Sequence, residues 1–135
     1  MNKKFIGLGL ASVAALSLAA CGSRTAKNDS SSSDSASSIK AAIVTDIGGV
    51  DDRSFNQSAW EGLQEWGDAA GLSKGNGYDY FQSASESDYI TNLDSAVSGG
   101  YNLVFGIGFA LESAIKEVAP NNPDTHYVIV DSVVA

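Results

Sequence analysis

Four short apolar segments, rich in β-branched and aromatic residues, alternate along this chain with segments whose apolar residues recur every three or four positions. The first pattern is typical of strands covered on both faces, and the second is typical of amphipathic helices. Because parallel neighbouring strands must be joined by a crossover, the alternation predicts an α/β fold with a parallel sheet. Right-handed crossovers favour the strand order 2-1-3-4. The predicted strands are residues 40–46, 78–82, 102–106 and 126–131.

Three amphipathic helices are predicted between these strands. Ser54 followed by Gln57 resembles a capping box, so Ser54 is the predicted N-cap of the first helix, and Gly71 is suited to end it. The second helix should end at Gly99, and Pro120 should stop the third. The predicted inward-facing residues are Phe55, Ala59, Leu63, Trp66 and Ala70 in the first helix, Ile90, Leu93, Ala96 and Val97 in the second, and Leu111, Ala114, Ile115 and Val118 in the third.

The end of the chain follows the fourth predicted strand closely. Only residues 132–135 come after that strand, and no fourth helix is predicted to cover this side of the sheet. An uncovered sheet exposes apolar side chains, which favours association. We therefore expect residues 39–135 to form an incomplete domain, as the front part of a longer protein or a truncated product would.

Polar side chains are concentrated in the loop between the first strand and the first helix. Asp46 ends the strand, and in open α/β sheets ligands bind beyond the carboxyl ends of the strands. Gly48 and Gly49 allow a ligand to approach the backbone closely. Phe55 and Asn56 add a flat apolar face and an amide at the start of the helix, and Asp51 and Asp52 add charged acceptors. This set favours a neutral, ring-bearing, polyhydroxylated ligand.

Each of these side chains also has a structural interpretation. Phe55 lies on the apolar stripe of the helix and could be a core residue, while Asp46 could cap the amides of its own loop. Asp51 and Asp52 could suggest a metal site, but their spacing does not match an EF-hand, so a solvated loop face is the preferred interpretation. We predict no metal and no cofactor.

Other motifs give no support for catalysis. Gly106 and Gly108 begin like a dinucleotide fingerprint, but the third glycine is missing, so we interpret them as a tight strand-to-helix turn. His126 has no recognisable catalytic partners, and Ser54 does not lie in a nucleophile elbow. No catalytic residue is predicted.

The first 38 residues have the composition of a targeting segment and a tether. Lys3 and Lys4 precede an apolar run that ends at Leu18, which is typical of a secretory signal and shorter than a membrane span. Small residues then precede Cys21, the only cysteine, in an arrangement that resembles the bacterial lipobox. Residues 23–38 contain eight serines and almost no apolar residue, so they cannot form a core. We predict a signal peptide at 1–20 and, at 21–38, a Cys21 lipidated with acyl chains such as palmitate followed by a flexible tether.

The charge of the remaining segment argues against nucleic acid as a partner. From residue 39 onward, fourteen carboxylates accompany only four basic residues. Binding to nucleic acid depends on cations that neutralise phosphates, and this segment has few of them. The acidity is more consistent with solubility and mutual repulsion between molecules.

The lipobox, the serine-rich tether and residues 44–57 (VTDIGGVDDRSFNQ) together resemble the basic membrane protein family. The resemblance continues in residues 99–109 (GGYNLVFGIGF) and 127–131 (YVIVD), and it extends over nearly the whole chain. Members of this family are substrate-binding lipoproteins of ABC importers, and many are purine-nucleoside receptors. The resemblance implies the Rossmann-like, parallel-sheet amino-terminal lobe of a type I periplasmic-binding-protein fold, with the second lobe missing.

The resemblance also implies a role for individual residues. Phe55 would stack on the purine ring, Asp46 and Asn56 would hydrogen-bond the polar edges of the ligand, and Asp131 would accept hydrogen bonds from ribose hydroxyls. Gly106 and Gly108 would let the ligand approach the backbone.

The leading prediction is therefore a binding protein without enzymatic activity. It would be anchored through Cys21 on the outer face of the cell membrane and would deliver nucleosides to an ABC permease. Two alternatives stay open: a nucleoside hydrolase that uses Asp46, Asp51 and Asp52, and a sugar-binding receptor or sensor with the same architecture.

Overall fold

A computed structural model describes residues 39–135. The predicted signal peptide, the lipidated Cys21 and the serine-rich tether lie outside the described residues. Within the described part of the chain, no helix is both long enough and apolar enough to cross a membrane.

The described residues form a four-stranded parallel sheet with the strand order β2-β1-β3-β4. This confirms the predicted α/β class and the predicted order. The strands β1, β2 and β4 are shorter than their predicted ranges, and β3 has the predicted length but begins and ends one residue later. The shortening of β1 leaves Thr45 and Asp46 in the loop that follows it. The strands are β1 (Ala41–Val44), β2 (Tyr78–Phe81), β3 (Leu103–Ile107) and β4 (His126–Val130).

Helices cover the two faces of the sheet unequally. Alternate residues of β1 point to opposite faces, so Ala42 and Val44 pack in the cluster that contains Leu93 and Ile115, whereas Ile43 packs in the cluster that contains Leu63. Two helices therefore cover one face and one helix covers the other. The helices are α1 (Phe55–Ala69), α2 (Asp88–Ser98) and α3 (Glu112–Val118), with 3₁₀ turns at Phe109–Leu111 and Ala119–Asn121 on either side of α3.

The prediction that one whole stripe of α1 faces inward is wrong. Leu63 is buried, but the side chains of Phe55 and Trp66 are 55% and 37% exposed, and Ala70 is exposed as well. Trp66 lines an open groove on the face of the sheet. For Phe55 and Ala70, at the two ends of the helix, the reason is length: α1 with 15 residues is about 22 Å long, whereas the four-residue strand β1 spans only about 13 Å. The ends of the helix therefore extend past the sheet. In α2, Ile90 is also more exposed than predicted.

The predicted capping box at the start of α1 is also wrong. Ser54 occupies the N-cap position, but its hydroxyl makes no capping hydrogen bond, and the Gln57 side chain bonds to Glu61 instead. The capping acceptor is Asp52, which takes the backbone N–H groups of both Ser54 and Gln57. A carboxylate makes stronger hydrogen bonds to N–H groups than a hydroxyl does, so it is the better cap where both are within reach.

The face of the sheet beside α1 carries an open apolar groove with a volume of about 300 Å³. On this side Ile107 at the end of β3 is fully buried, whereas Leu103 and Phe105 of β3 and Val130 of β4 are only partly buried. The groove is lined by Ala41, Ile43, Ala59, Gly62, Leu63, Trp66, Leu103, Phe105, Ile107 and Val130.

The loop before α2 is held by Asp88, and this contact makes stability depend on pH. The backbone N–H groups of Ala84 and Ser85 donate to Asp88 Oδ2 at 3.0 Å each, and the Ala84 bond is the main cause that lowers the pKa of this carboxyl. A lowered pKa contributes stability that is present above the ordinary value of 3.8 and is lost as the pH falls through the folded-state value.

We therefore expect Asp88→Asn to flatten the acid limb of the stability curve. Urea unfolding at pH 5 and pH 3 should show a smaller loss of unfolding free energy in the variant than in the wild type. Glu86→Gln, which removes the same charge from an exposed position in the same loop, is the control. If wild type and Asp88→Asn lose the same unfolding free energy between pH 5 and pH 3, the Asp88 carboxylate does not cause the pH dependence.

Candidate ligand-binding site at the carboxyl ends of the strands

Three of the predicted site residues follow the strands at one edge of the sheet. Asp46 lies two residues after β1, Gly108 directly follows β3, and Asp131 directly follows β4. Because the strands are parallel, these residues share the edge at which ligands bind in open α/β sheets. The backbone N–H of Gly108 donates to the carbonyl of Val130 at 3.2 Å, which ties the end of β3 to the end of β4.

Gly108 lies directly against the Asp46 carboxylate. Its φ of +97° is in the region that favours glycine, and a Cβ added there would lie 3.3 Å from Asp46 Oδ2. Gly48 approaches the same carboxylate from the other side, because a Cβ there would lie 3.1 Å from Asp46 Oδ1. The carboxylate therefore lies between two positions at which the chain carries no side chain.

Asp46, Asn56 and Asp52 form a hydrogen-bonded chain that connects β1 to α1. Asp46 Oδ1 accepts from the backbone N–H of Gly48 at 2.8 Å and from Asn56 Nδ2 at 2.7 Å. The same Nδ2 donates to Asp52 Oδ2 at 2.9 Å. One amide group thus bridges two carboxylates.

Asn56 is almost fully buried, with 1% of its surface exposed. Two carboxylate oxygens beside one end of its side chain fix that end as the NH₂ group, since only the NH₂ can donate. Its Oδ1 atom is buried and has no hydrogen-bond partner among the described residues. The predicted contact between Asn56 and a ligand stays a prediction, while its contacts with Asp46 and Asp52 are features of the fold.

The Asp52 carboxylate is held in its ionised form. Partial burial raises its pKa, but hydrogen bonds from the backbone N–H groups of Gln57, Ser54 and Asn56 and from the Asn56 side chain outweigh this effect. The net result is a pKa below its ordinary value of 3.8. The predicted solvated loop face does not include this role for Asp52. Its position two residues before Ser54 was the available signal, because Asp commonly bonds to backbone N–H groups two residues further on.

Phe55 lies at the rim of this network and is not a core residue. It begins α1 and directly precedes Asn56, so it lies at the same edge as Asp46, and 55% of its surface is exposed. Ile47 and Phe109, which were not predicted site residues, are 62% and 69% exposed. Phe109 directly follows Gly108. An aromatic residue after the glycine turn was therefore the signal that could have predicted an exposed ring at this edge.

Asp131 is exposed and has an unusual backbone conformation. Its φ is +66°, a value that non-glycine residues adopt at a cost. The next residue is fixed, because Ser132 Oγ donates to Glu112 Oε2 at 2.7 Å. The side chain of Asp131 accepts no hydrogen bond from any residue in the described range.

Gly106 has a structural role whether or not it contacts a ligand. A Cβ at this position would lie 2.6 Å from Ile115 Cδ1 and 3.4 Å from Leu111 Cβ, so the absence of a side chain lets α3 pack closely on β3. Its predicted contact with a ligand stays a prediction.

Among residues 39–135 no group of three or more metal-ligating side chains lies close enough together to hold a metal ion. Asp51 is exposed and takes no part in the chain formed by Asp46, Asn56 and Asp52.

The fold resembles that of solute-binding proteins of ABC transporter systems. A solute-binding protein of this kind from Aeropyrum pernix has a similar structure, with a TM-score of 0.61 and 28% sequence identity over 70% of this chain and 25% of that chain. The family model described as ABC transporter substrate-binding protein PnrA-like matches residues 39–135. The chain belongs to this family, which confirms the resemblance to basic membrane proteins.

Two relatives match nearly the whole chain. The ABC transporter nucleoside-binding protein BmpA of Lactococcus lactis is 55% identical, and the CD4+ T-cell-stimulating antigen of Listeria innocua is 48% identical. Both alignments cover 99% of this chain and 38% of the relative. The chain therefore spans less than half the length of these proteins.

Proposed function

We propose that this chain forms the amino-terminal part of a nucleoside-binding receptor that serves an ABC permease. The observation that carries the proposal is the combination of an exposed Phe55 with the adjacent Asn56, whose side chain holds the Asp46 carboxylate at the carboxyl edge of the sheet. The similarity to a nucleoside-binding relative supports the same conclusion.

The groups at this edge match those that a nucleoside can contact. The Phe55 ring offers a π-face for the base, because stacking on aromatic side chains tolerates every base. Asp46 Oδ2 can accept from an N–H or O–H group of the ligand, since Oδ1 is already occupied by Gly48 and Asn56. Asp131 can accept from ribose hydroxyls. Together these residues bind one side of a ligand, and closure by a second lobe would bury the other side.

Purines are the proposed class of base, and no chemical change of the ligand is proposed. A two-ring base offers more stacking area to Phe55 than a pyrimidine does. The carboxylates of Asp46 and Asp52 accept hydrogen bonds from N–H groups of the loop and of α1, which suits a binding role.

A titration of the ¹⁵N-labelled 135-residue chain with inosine, guanosine and adenosine tests the proposal. We expect saturable shifts of the backbone signals of Asp46, Phe55, Asn56 and Asp131 with at least one nucleoside, and much weaker effects with ribose alone. Absence of a response to all three nucleosides would overturn the proposal. An equal response to ribose would favour a sugar receptor, and release of free base during the titration would favour a hydrolase.

A lipid anchor at Cys21 is the second part of the proposal. The lipobox-like residues before Cys21 and the serine-rich segment after it support a receptor tethered to the outer face of the membrane. Stable attachment needs more than one acyl chain, which a bacterial lipoprotein supplies.

Replacing Cys21 with serine should therefore abolish incorporation of labelled palmitate and move the protein from the membrane fraction to the soluble fraction. Ser23→Ala, a neighbouring change that leaves the thiol in place, should have no effect. Labelling of the Cys21→Ser protein to the wild-type level would contradict the anchor.

A further inference from the structure

We infer that Asp52 is a positioning residue of the nucleoside site: it orients the Asn56 amide, which in turn leaves only one oxygen of Asp46 free for the ligand. The inference rests on the proposed function and extends it to a residue that does not itself need to touch the ligand. The observations that carry it are the hydrogen bonds from Asn56 Nδ2 to both carboxylates.

Asp52 uses its two oxygens for two different tasks. Oδ1 accepts from the backbone N–H groups of Ser54 at 2.8 Å and Gln57 at 3.0 Å, which fixes the first turn of α1. Oδ2 accepts from Asn56 Nδ2 at 2.9 Å and from the Asn56 backbone N–H at 3.3 Å. The carboxylate therefore fixes both the backbone and the side chain of Asn56.

The orientation of Asn56 determines which atom faces Asp46. A primary amide has a donor end and an acceptor end, and rotation by half a turn would place Asn56 Oδ1 against the negatively charged Asp46 Oδ1. Asp52 Oδ2 prevents this rotation, because it also requires the donor end. Burial of Asn56 strengthens the effect, since a hydrogen bond lost in a buried site costs more than one lost at the surface.

The consequence for the ligand lies at Asp46. Two donors, Gly48 N–H and Asn56 Nδ2, saturate Oδ1, and no described residue donates to Oδ2, which faces Gly108. Asp46 thus presents a single acceptor with a defined direction. If the Asn56 amide turns, the Asp46 carboxylate loses one of its two hydrogen bonds and can rotate. The free oxygen then no longer points in one direction toward the ligand.

Asp52→Asn is the sharpest test because it keeps the size of the side chain and one acceptor for α1. Its NH₂ group would face the NH₂ of Asn56, so one of the two must turn away. Asp52→Ser removes the second oxygen and leaves one hydroxyl, whose O–H can rotate away from the Asn56 amide. This variant is used if Asp52→Asn does not fold. Asp51→Asn is the matched control, since it removes the same charge from an adjacent, exposed position.

Two readouts separate positioning from a general effect on folding. The first needs no ligand: the side-chain amide signals of Asn56 in the ¹⁵N-labelled 135-residue chain should shift and exchange faster in both Asp52 variants and stay unchanged in Asp51→Asn. The second is the affinity for inosine, which should fall about tenfold in the Asp52 variants, as expected for the loss of one hydrogen bond to a charged group, and be retained in the control.

The outcomes distinguish this inference from the proposed function. Unchanged Asn56 signals in both Asp52 variants, or an equal loss of affinity in Asp51→Asn, would overturn the positioning role. If the wild type does not respond to inosine, guanosine or adenosine, the proposed function fails. In that case a shift of the Asn56 signals would still show that Asp52 orients this amide.

Discussion

Replacing Phe55 with alanine should lower the affinity for purine nucleosides about tenfold to one-hundredfold while leaving the melting temperature nearly unchanged. Truncation of an aromatic residue that stacks on a base costs about 1–3 kcal/mol of binding free energy, and about 1.4 kcal/mol corresponds to a factor of ten. Stability should be nearly unchanged because Phe55 is 55% exposed and lies at the start of α1, past the end of the sheet. Isothermal titration with inosine, together with a thermal melt, measures both quantities.

Two further variants show whether the ring itself is responsible. Phe55→Tyr keeps an aromatic face and should retain most of the affinity, whereas Phe55→Leu keeps an apolar side chain without a π-face and should lose most of it. If Phe55→Ala binds inosine as tightly as the wild type, or if Phe55→Leu does, then the base does not stack on this ring.

The second large effect is expected on stability. Asn56→Asp should lower the free energy of unfolding by about 2–4 kcal/mol at pH 7, because it replaces a double donor with a third carboxylate between two others and removes two hydrogen bonds to charged groups. The change is nearly isosteric, so the effect reports charge and hydrogen bonding and not volume. Urea unfolding measures it.

The pH dependence of this loss has a definite sign. Burial and two neighbouring carboxylates should raise the pKa of the introduced carboxyl in the folded state. The destabilisation is therefore fully present at pH 7 and should shrink as the pH falls through that raised pKa and the group becomes neutral. Asn76→Asp, the same change in an exposed turn, is the control and should cost little. A loss that is equal in both variants, or that is the same at pH 7 and pH 5, would contradict the bridging role of Asn56.

The sheet and its ligand-binding edge could be predicted because they depend on sequence patterns that extend over whole strands and helices. Continuous apolar runs such as residues 41–44 identify strands buried on both faces, and the intervening helices leave a parallel sheet as the simple solution. Once the order of the strands is known, Asp46, Gly108 and Asp131 must lie at the same edge.

The details of the site could not be predicted because several polar groups compete over short distances. Ser54 and Asp52 were both within reach of the first N–H groups of α1, and only the three-dimensional geometry shows that the carboxylate takes them. The exposure of Phe55 depends on how far α1 extends past a strand of four residues. Helical periodicity gives no information about that length. Gly106 had a packing role that became visible only with Ile115 in place.

The most direct test of the account is a measurement of which protons of the 135-residue chain lie close to bound inosine. The account predicts intermolecular nuclear Overhauser effects between the base protons of inosine and the ring protons of Phe55, and between the ribose protons and residues beside Asp131. Contacts confined to Trp66 and Phe105 in the apolar groove, with none to Phe55, would contradict it.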